Sequence, residues 1–178
     1  MAANISTAAT SVHIRRATVA DLPALLALVR RVVPLMQASG NLQWSADYPN
    51  EAVFTADIAQ KHLWVAELDG AIAGVAALTQ DQDAEYAQAD WDATEAALVT
   101  HRLAVDPAAQ GKGVALALME QAEKQAVAQG LNALRVDTNS ENAATQRLFP
   151  KLGYRFAGEI TLGFRPGLRF FCYEKRLG

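Results

Sequence analysis

With 178 residues, 51% hydrophobic and 20% charged, the chain has the length and make-up of one soluble globular domain that can bury a proper core. Its formal charge of −3 argues against a strongly basic nucleic-acid binder and suits a neutral or cationic partner. The one cysteine, Cys172, excludes an internal disulfide, and no Cys or His spacing fits a metal site.

The opening Met1 to Ser11, rich in Ala, Ser and Thr, lacks the basic start and apolar run of a signal peptide. It is expected as a flexible tail (1–11) on a single domain (12–178). No later stretch is apolar enough to cross a bilayer, so no membrane contact and a cytoplasmic location are expected. Val12 to Arg16 has strand character. Thr18 and Asp21, a hydroxyl and an acid three residues apart, mark a helix start. Leu22, Leu25, Leu26, Val29 and Val33 follow at helical spacing until Pro34 disturbs the pattern. A second short helix is predicted between Pro49 and Gln60, with Val53, Phe54 and Ile58 turned inward.

Strands are predicted at His62 to Leu68 and Ala71 to Thr79, joined at Asp69-Gly70, a hairpin signal. Gln80 to Asp92 is polar and acidic and reads as a loop carrying Tyr86 and Trp91. Ala96 to Val105 is the next strand. Val114, Leu118 and Ala122, four apart, begin a helix that Gly130 ends. Ala133 to Val136 reads as a strand and Glu141 to Leu152 as a helix. Phe156 to Phe164 and Leu168 to Lys175 close the chain as a strand pair around Pro166-Gly167. Cys172 falls in the last strand and reads as a buried, unreactive thiol.

The segment Leu103-Ala-Val-Asp-Pro-Ala-Ala-Gln-Gly-Lys-Gly-Val-Ala115 is a strand, a glycine-containing turn and the first turn of a helix. The leading N–H groups of a helix lack internal acceptors, and the helix dipole adds positive character there. Gly111 and Gly113 leave the backbone open to a ligand, so the turn suits a phosphate or diphosphate. It is not a Walker loop, because Gly113 follows Gly111-Lys112 where Ser or Thr is needed. Nor is it the dinucleotide fingerprint, because Leu116 stands at the third glycine position. On the loop alone, a plain strand-to-helix turn stays equally open.

Gln110-Gly-Lys-Gly113-Val-Ala115 resembles the Q/R-x-x-G-x-G/A cofactor signature of the GNAT family of N-acetyltransferases. Leu103-Ala-Val-Asp-Pro107 resembles the strand before it. Asn139-Ser-Glu-Asn142-Ala and Leu148-Phe-Pro-Lys-Leu-Gly153-Tyr154 resemble the family's second motif. The resemblance implies an α/β (α+β) domain, with a mixed, mostly antiparallel twisted sheet of about six to seven strands and about four flanking helices. It implies acetyl-CoA as cosubstrate, no metal, and transfer to the primary amine of a small molecule or amino acid. Acetylation of a protein N-terminus or lysine, a non-catalytic acyl-CoA-binding module, and homodimer formation stay open.

On the same resemblance, backbone N–H groups of Gln110, Gly111, Lys112, Gly113, Val114 and Ala115 would hold the diphosphate. Leu103, Ala104 and Val105 would pair with the pantetheine arm as with an added strand. Asn139, Asn142 and Phe149 would line the arm, with helix capping as the alternative for Asn142. Phe149 stands where many members carry a proton-donating Tyr, and phenylalanine donates no proton. Tyr154, Tyr86, Tyr173 or solvent are the alternatives.

Strand alternation puts Glu95, Ala97, Val99, His101 and Leu103 on one face. His101 has the intrinsic pKa to take a proton from an alkylammonium, and Glu95 could act through water. Serotonin-type arylalkylamine acetyltransferases carry a histidine matching His101, but their second strand histidine is Val99 here. Trp44, Tyr48, Tyr86 and Trp91, set among acids, suggest an aromatic pocket for a cation, and core packing explains them as well.

Overall fold

The structure, a computed structural model, describes residues 11–178. Apart from Ser11, the expected N-terminal tail lies outside the described residues. The elements run β1 (Val12–Arg16), α1 (Leu22–Ala38), α2 (Glu51–Ala59), β2 (Leu63–Leu68), β3 (Ala71–Thr79), β4 (Leu98–Val105), α3 (Val114–Ala128), β5 (Ala133–Asn139), α4 (Ala143–Lys151), β6 (Arg155–Ile160) and β7 (Phe170–Arg176). They build one seven-stranded sheet in the order β1-β2-β3-β4-β5-β7-β6. Every neighbouring pair is antiparallel except β4 and β5, which run parallel. No described helix is long and apolar enough to cross a membrane.

Four boundaries differ most from the sequence reading. Pro34 does not end α1: Met36, beyond it, still packs against the α1-side core and the helix runs on to Ala38. β4 begins at Leu98, since Glu95 N–H closes a turn onto the Asp92 carbonyl at 3.1 Å. β5 continues to Asn139 because β7 supplies partners as far as Asn139–Phe170. The expected closing hairpin shortens, with β6 ending at Ile160 and residues 161–169 forming a loop.

The sheet is covered on both faces. On one side Leu25, Leu28 and Val29 of α1 and Phe54 of α2 pack on Leu63, Val65, Val75 and Ala77. On the other, Val114, Leu118, Met119 and Ala122 of α3 and Phe149 of α4 pack on Ala76, Leu78, Leu98, Leu134 and Val136. Each fully buried side chain of this size contributes about 1.5–3 kcal/mol of transfer free energy.

The start of α3 lies close to the sheet because β3 has no side chain at Gly74. A Cβ there would sit 2.5 Å from Val114 Cγ1 and 3.1 Å from the Ala104 carbonyl oxygen. Val114 is stiff at χ1 and the carbonyl is backbone, so neither yields cheaply. Gly74→Ala is therefore expected to cost about 1–3 kcal/mol, read as a lower urea midpoint with an unchanged slope.

Candidate active site

The site is built where two strands part. β4 and β5 stay in register only across Leu98–Leu134, Val99–Arg135 and Thr100–Val136. Beyond that point β4 follows β3 and β5 follows β7, so one backbone edge of β4 is left without a neighbour. A bulge goes with the parting. Arg102 and Leu103 together face the single residue Ala76, and Arg102 has a φ of 53°.

The bulge corrects the expected alternation. His101 pairs with Ala77, a residue on the α1 face, whereas Leu103 packs in the α3 cluster and Ala104 returns to the α1 cluster. His101 and Leu103 thus face opposite sides. Arg102 turns to the α1 side, where its guanidinium donates to both Asp57 oxygens at 2.7 Å and to the Tyr48 hydroxyl at 3.3 Å.

The loop ahead of α3 is held from outside. Asp106 accepts from Arg31 at 2.6 and 2.9 Å and from Ala108 N–H at 2.9 Å. Gly113 (φ 80°) turns the chain into the helix, and the first helical bond runs from Ala117 N–H to the Gly113 carbonyl at 3.0 Å. Among the described residues, nothing accepts from the N–H groups of Gly111, Gly113, Val114, Ala115 or Leu116. Lys112 N–H is bonded back to the Ala109 carbonyl at 3.3 Å. Cβ atoms at Gly111 and Gly113 would meet nothing within 4 Å. This is an open row of donors with helix-dipole charge behind it, which is what a diphosphate needs.

A cavity of about 330 Å³ runs through the split. On the helix side it meets Leu103, Val136, Asn142 and Phe149. Thr100 also faces it, and its hydroxyl is buried with no hydrogen-bond partner among the described residues. On the other side His101 meets Asp81, Asp83 and Asp137, with Trp44 and Tyr48 as walls. His101 Nε2 lies 3.3 Å from the Asp81 carbonyl. Burial pushes the Asp137 carboxyl above the ordinary carboxylate range, while the hydrogen bond donated by Tyr86 and the nearness of His101 pull it back. Burial and the Asp137 charge hold the Tyr86 phenol protonated as the donor.

Several expected residues do other work. Glu95 is not on β4 and does not line the cavity. Its carboxylate lies 2.5 Å from Arg176 and 3.8 Å from Arg135, and the Arg176 bond holds its pKa below the usual range. Asn139 Oδ1 accepts from Glu141 N–H at 2.9 Å and serves the turn after β5. Asn142 caps α4, its side chain accepting from Thr145 N–H at 3.3 Å, and it also faces the cavity. Phe149 is buried between Tyr154 and Tyr173, at ring distances of 5.8 and 5.4 Å. Tyr154, Tyr86 and Tyr173 do not line the cavity.

Of the four expected pocket aromatics, Trp44 and Tyr48 line the cavity. Tyr86 and Trp91 pack below it, where Trp91 lies 4.6 Å from the Arg135 guanidinium. The fully buried Arg135 donates to Glu174, Gln82 and the Asp92 carbonyl, fixing the acidic loop beside the cavity. Asp137 was missed because the strand was read as ending at Val136. The available signal is an acid two residues after Arg135, on the same face of an extended run.

Residues 30–154 match the sequence model of the Acetyltransferase (GNAT) family. The chain is 30% identical over 155 residues to the L-methionine sulfoximine/L-methionine sulfone acetyltransferase of Pseudomonas paraeruginosa, covering 84% of each chain. It is 24% identical over 153 residues to an uncharacterized N-acetyltransferase, YesJ, of Bacillus subtilis, covering 81% of this chain and 82% of that one. Among solved structures, a GNAT-family acetyltransferase from Streptococcus agalactiae superposes with a TM-score of 0.76 at 25% identity, covering 94% and 96% of the two chains. The Salmonella typhimurium acetyltransferase yncA, solved with acetyl-CoA, shares the fold at a TM-score of 0.68 and 20% identity, covering 95% of each chain.

Proposed function

The chain belongs to the GNAT acetyltransferase family and is an acyltransferase with acetyl-CoA as its cosubstrate, and from that premise we propose that it acetylates the primary amine of a small molecule, an amino acid among them. The observation that carries the reading is the cavity through the β4–β5 split, with Leu103 of the unpaired edge of β4 on one side and an acidic, aromatic chamber on the other, while the open amide row follows β4 in the chain at the start of α3. The relative of Pseudomonas paraeruginosa, named for two amino-acid acceptors, supports a small acceptor.

In this reading the amides from Gly111 to Leu116, with Lys112 adding charge and Gln110 at the entrance, hold the diphosphate. The backbone of Leu103 and Val105, on either side of Ala104, holds the pantetheine arm, and Asn142 adds a side-chain contact. Asn139 acts only through the turn, and Phe149 supplies an apolar wall. The bound cosubstrate supplies a thioester carbon open to nucleophilic attack. Asp81, Asp83 and Asp137 attract the ammonium form of the acceptor, and Asp137 or His101 accepts its proton so that the free amine can attack. The thiolate leaves readily, so no tyrosine donor is needed where Phe149 stands.

On the same reading the enzyme works in the cytoplasm, with homodimer formation open. Incubation with acetyl-CoA and a panel of amines, following the free thiol, is expected to show turnover of small primary amines. Silence across the panel, peptides included, removes the reading. Turnover of peptides alone moves the acceptor to a protein N-terminus.

A further inference from the structure

The chamber holds two arginines in different states. Arg102 is neutralised by both oxygens of Asp57. Arg165, on the loop between β6 and β7, has no carboxylate partner among the described residues. Its guanidinium lies 4.6 Å from the Tyr48 ring centroid and 5.4 Å from that of Phe164. Nε donates to the Gln43 carbonyl at 3.1 Å and Nη1 to the Phe164 carbonyl at 3.4 Å, while Nη2 donates to no described group.

A guanidinium stacked on aromatic faces keeps its N–H edge free for an acceptor lying in its plane, and a carboxylate fits that edge. The same stacking limits the rotamers of Arg165, so little entropy is lost when an anion arrives. The acids of the chamber are arranged the other way. Asp81, Asp83 and Asp137 have no cationic partner within salt-bridge distance among the described residues, and they face the chamber with His101. One wall is thus anionic and one loop carries a free cation, which is the charge pattern of a zwitterion's receptor.

We infer that the acceptor is a free amino acid, its ammonium drawn to the Asp137 side and its carboxylate held by Arg165. The inference rests on the acetyl-transfer reading above and narrows its acceptor. A peptide N-terminus has an amide where this carboxylate would be, so it lacks the group that Arg165 selects.

The test is equilibrium binding, which needs no turnover. The protein saturated with CoA is titrated with the twenty standard amino acids and with their primary amides, measured by calorimetry, with the tryptophan fluorescence to which Trp44 of the cavity wall contributes as a second signal. At least one amino acid is expected to bind on the order of 10- to 100-fold more tightly than its amide, the range of a charge-assisted hydrogen bond. Arg165→Gln is expected to erase that preference by weakening the acid and sparing the amide, and Arg165→Lys to restore part of it. Among the described residues Arg165 bonds only to backbone carbonyls and makes no ion pair, so these variants are expected to fold and to lower the melting temperature by a few degrees at most. Equal binding of acid and amide, no binding of any amino acid, or an equal loss of both ligands in Arg165→Gln would overturn the inference. Selective binding without thiol release would keep Arg165 as the amino-acid carboxylate site but remove the transfer reading and with it the acceptor role, so the two failures are told apart.

Discussion

Gly113→Glu is expected to abolish coenzyme A binding while leaving the fold intact. Gly113 sits at φ 80° at the mouth of α3, and the space beside it is open. A glutamate there meets two opposed effects on stability. The left-handed backbone costs about 1–2 kcal/mol for a residue with a Cβ. A carboxylate beside a helix N-terminus returns about 0.3–1 kcal/mol. The net loss is too small to unfold a domain of this size. Binding has no such compensation, because the carboxylate enters the space proposed for the diphosphate and competes for the same amides. Charge-assisted hydrogen bonds are worth about 1.5–3 kcal/mol each, so losing two of them weakens affinity by about 10²–10⁴-fold. Calorimetry with coenzyme A, beside a melting curve, checks both halves. Gly113→Ala separates the causes, since it carries the backbone strain without the charge and should lose far less affinity. Wild-type affinity in Gly113→Glu would remove the loop from the cofactor site.

The element order was legible in the chain because its signals are local. Asp69-Gly70 reads as a turn on its own terms, and the stripe Val114, Leu118, Ala122 reads as a helix. The glycine-bearing loop was legible for the same reason, since a strand, a turn and a helix start lie in thirteen consecutive residues. What was lost depends on pairing between distant segments. The bulge at Arg102 exists only against Ala76, and it reverses the face of Leu103 relative to His101. Alternation read along one strand cannot contain it. Glu95 looked like a strand acid in reach of the site, but Arg176, far along the chain, captures its carboxylate. Asp137 and Arg165 were overlooked because each gains meaning from its partners: Tyr86 beneath the first, Tyr48 and Phe164 around the second.

Asp137→Asn is expected to lower kcat/KM by about 10²–10⁴-fold with coenzyme A affinity unchanged, the usual weight of a positioned proton acceptor. Asparagine matches the shape of the carboxylate and still accepts the Tyr86 hydrogen bond, but it cannot take a proton. Tyr86→Phe sharpens the test through pH. The Tyr86 hydroxyl donates to the charged form of Asp137 and so lowers its pKa against the rise caused by burial. Without that donor the pKa rises further. A base works only when deprotonated, so the acid limb of the kcat/KM profile should move to higher pH while the plateau above it holds. His101→Gln discriminates the two candidates. If Asp137 is the base, losing the nearby imidazole also raises its pKa, and the limb shifts upward with the plateau preserved. If His101 is the base, the plateau itself collapses. Asp137→Asn retaining wild-type kcat/KM would take the proton away from Asp137 and leave His101 or water to receive it.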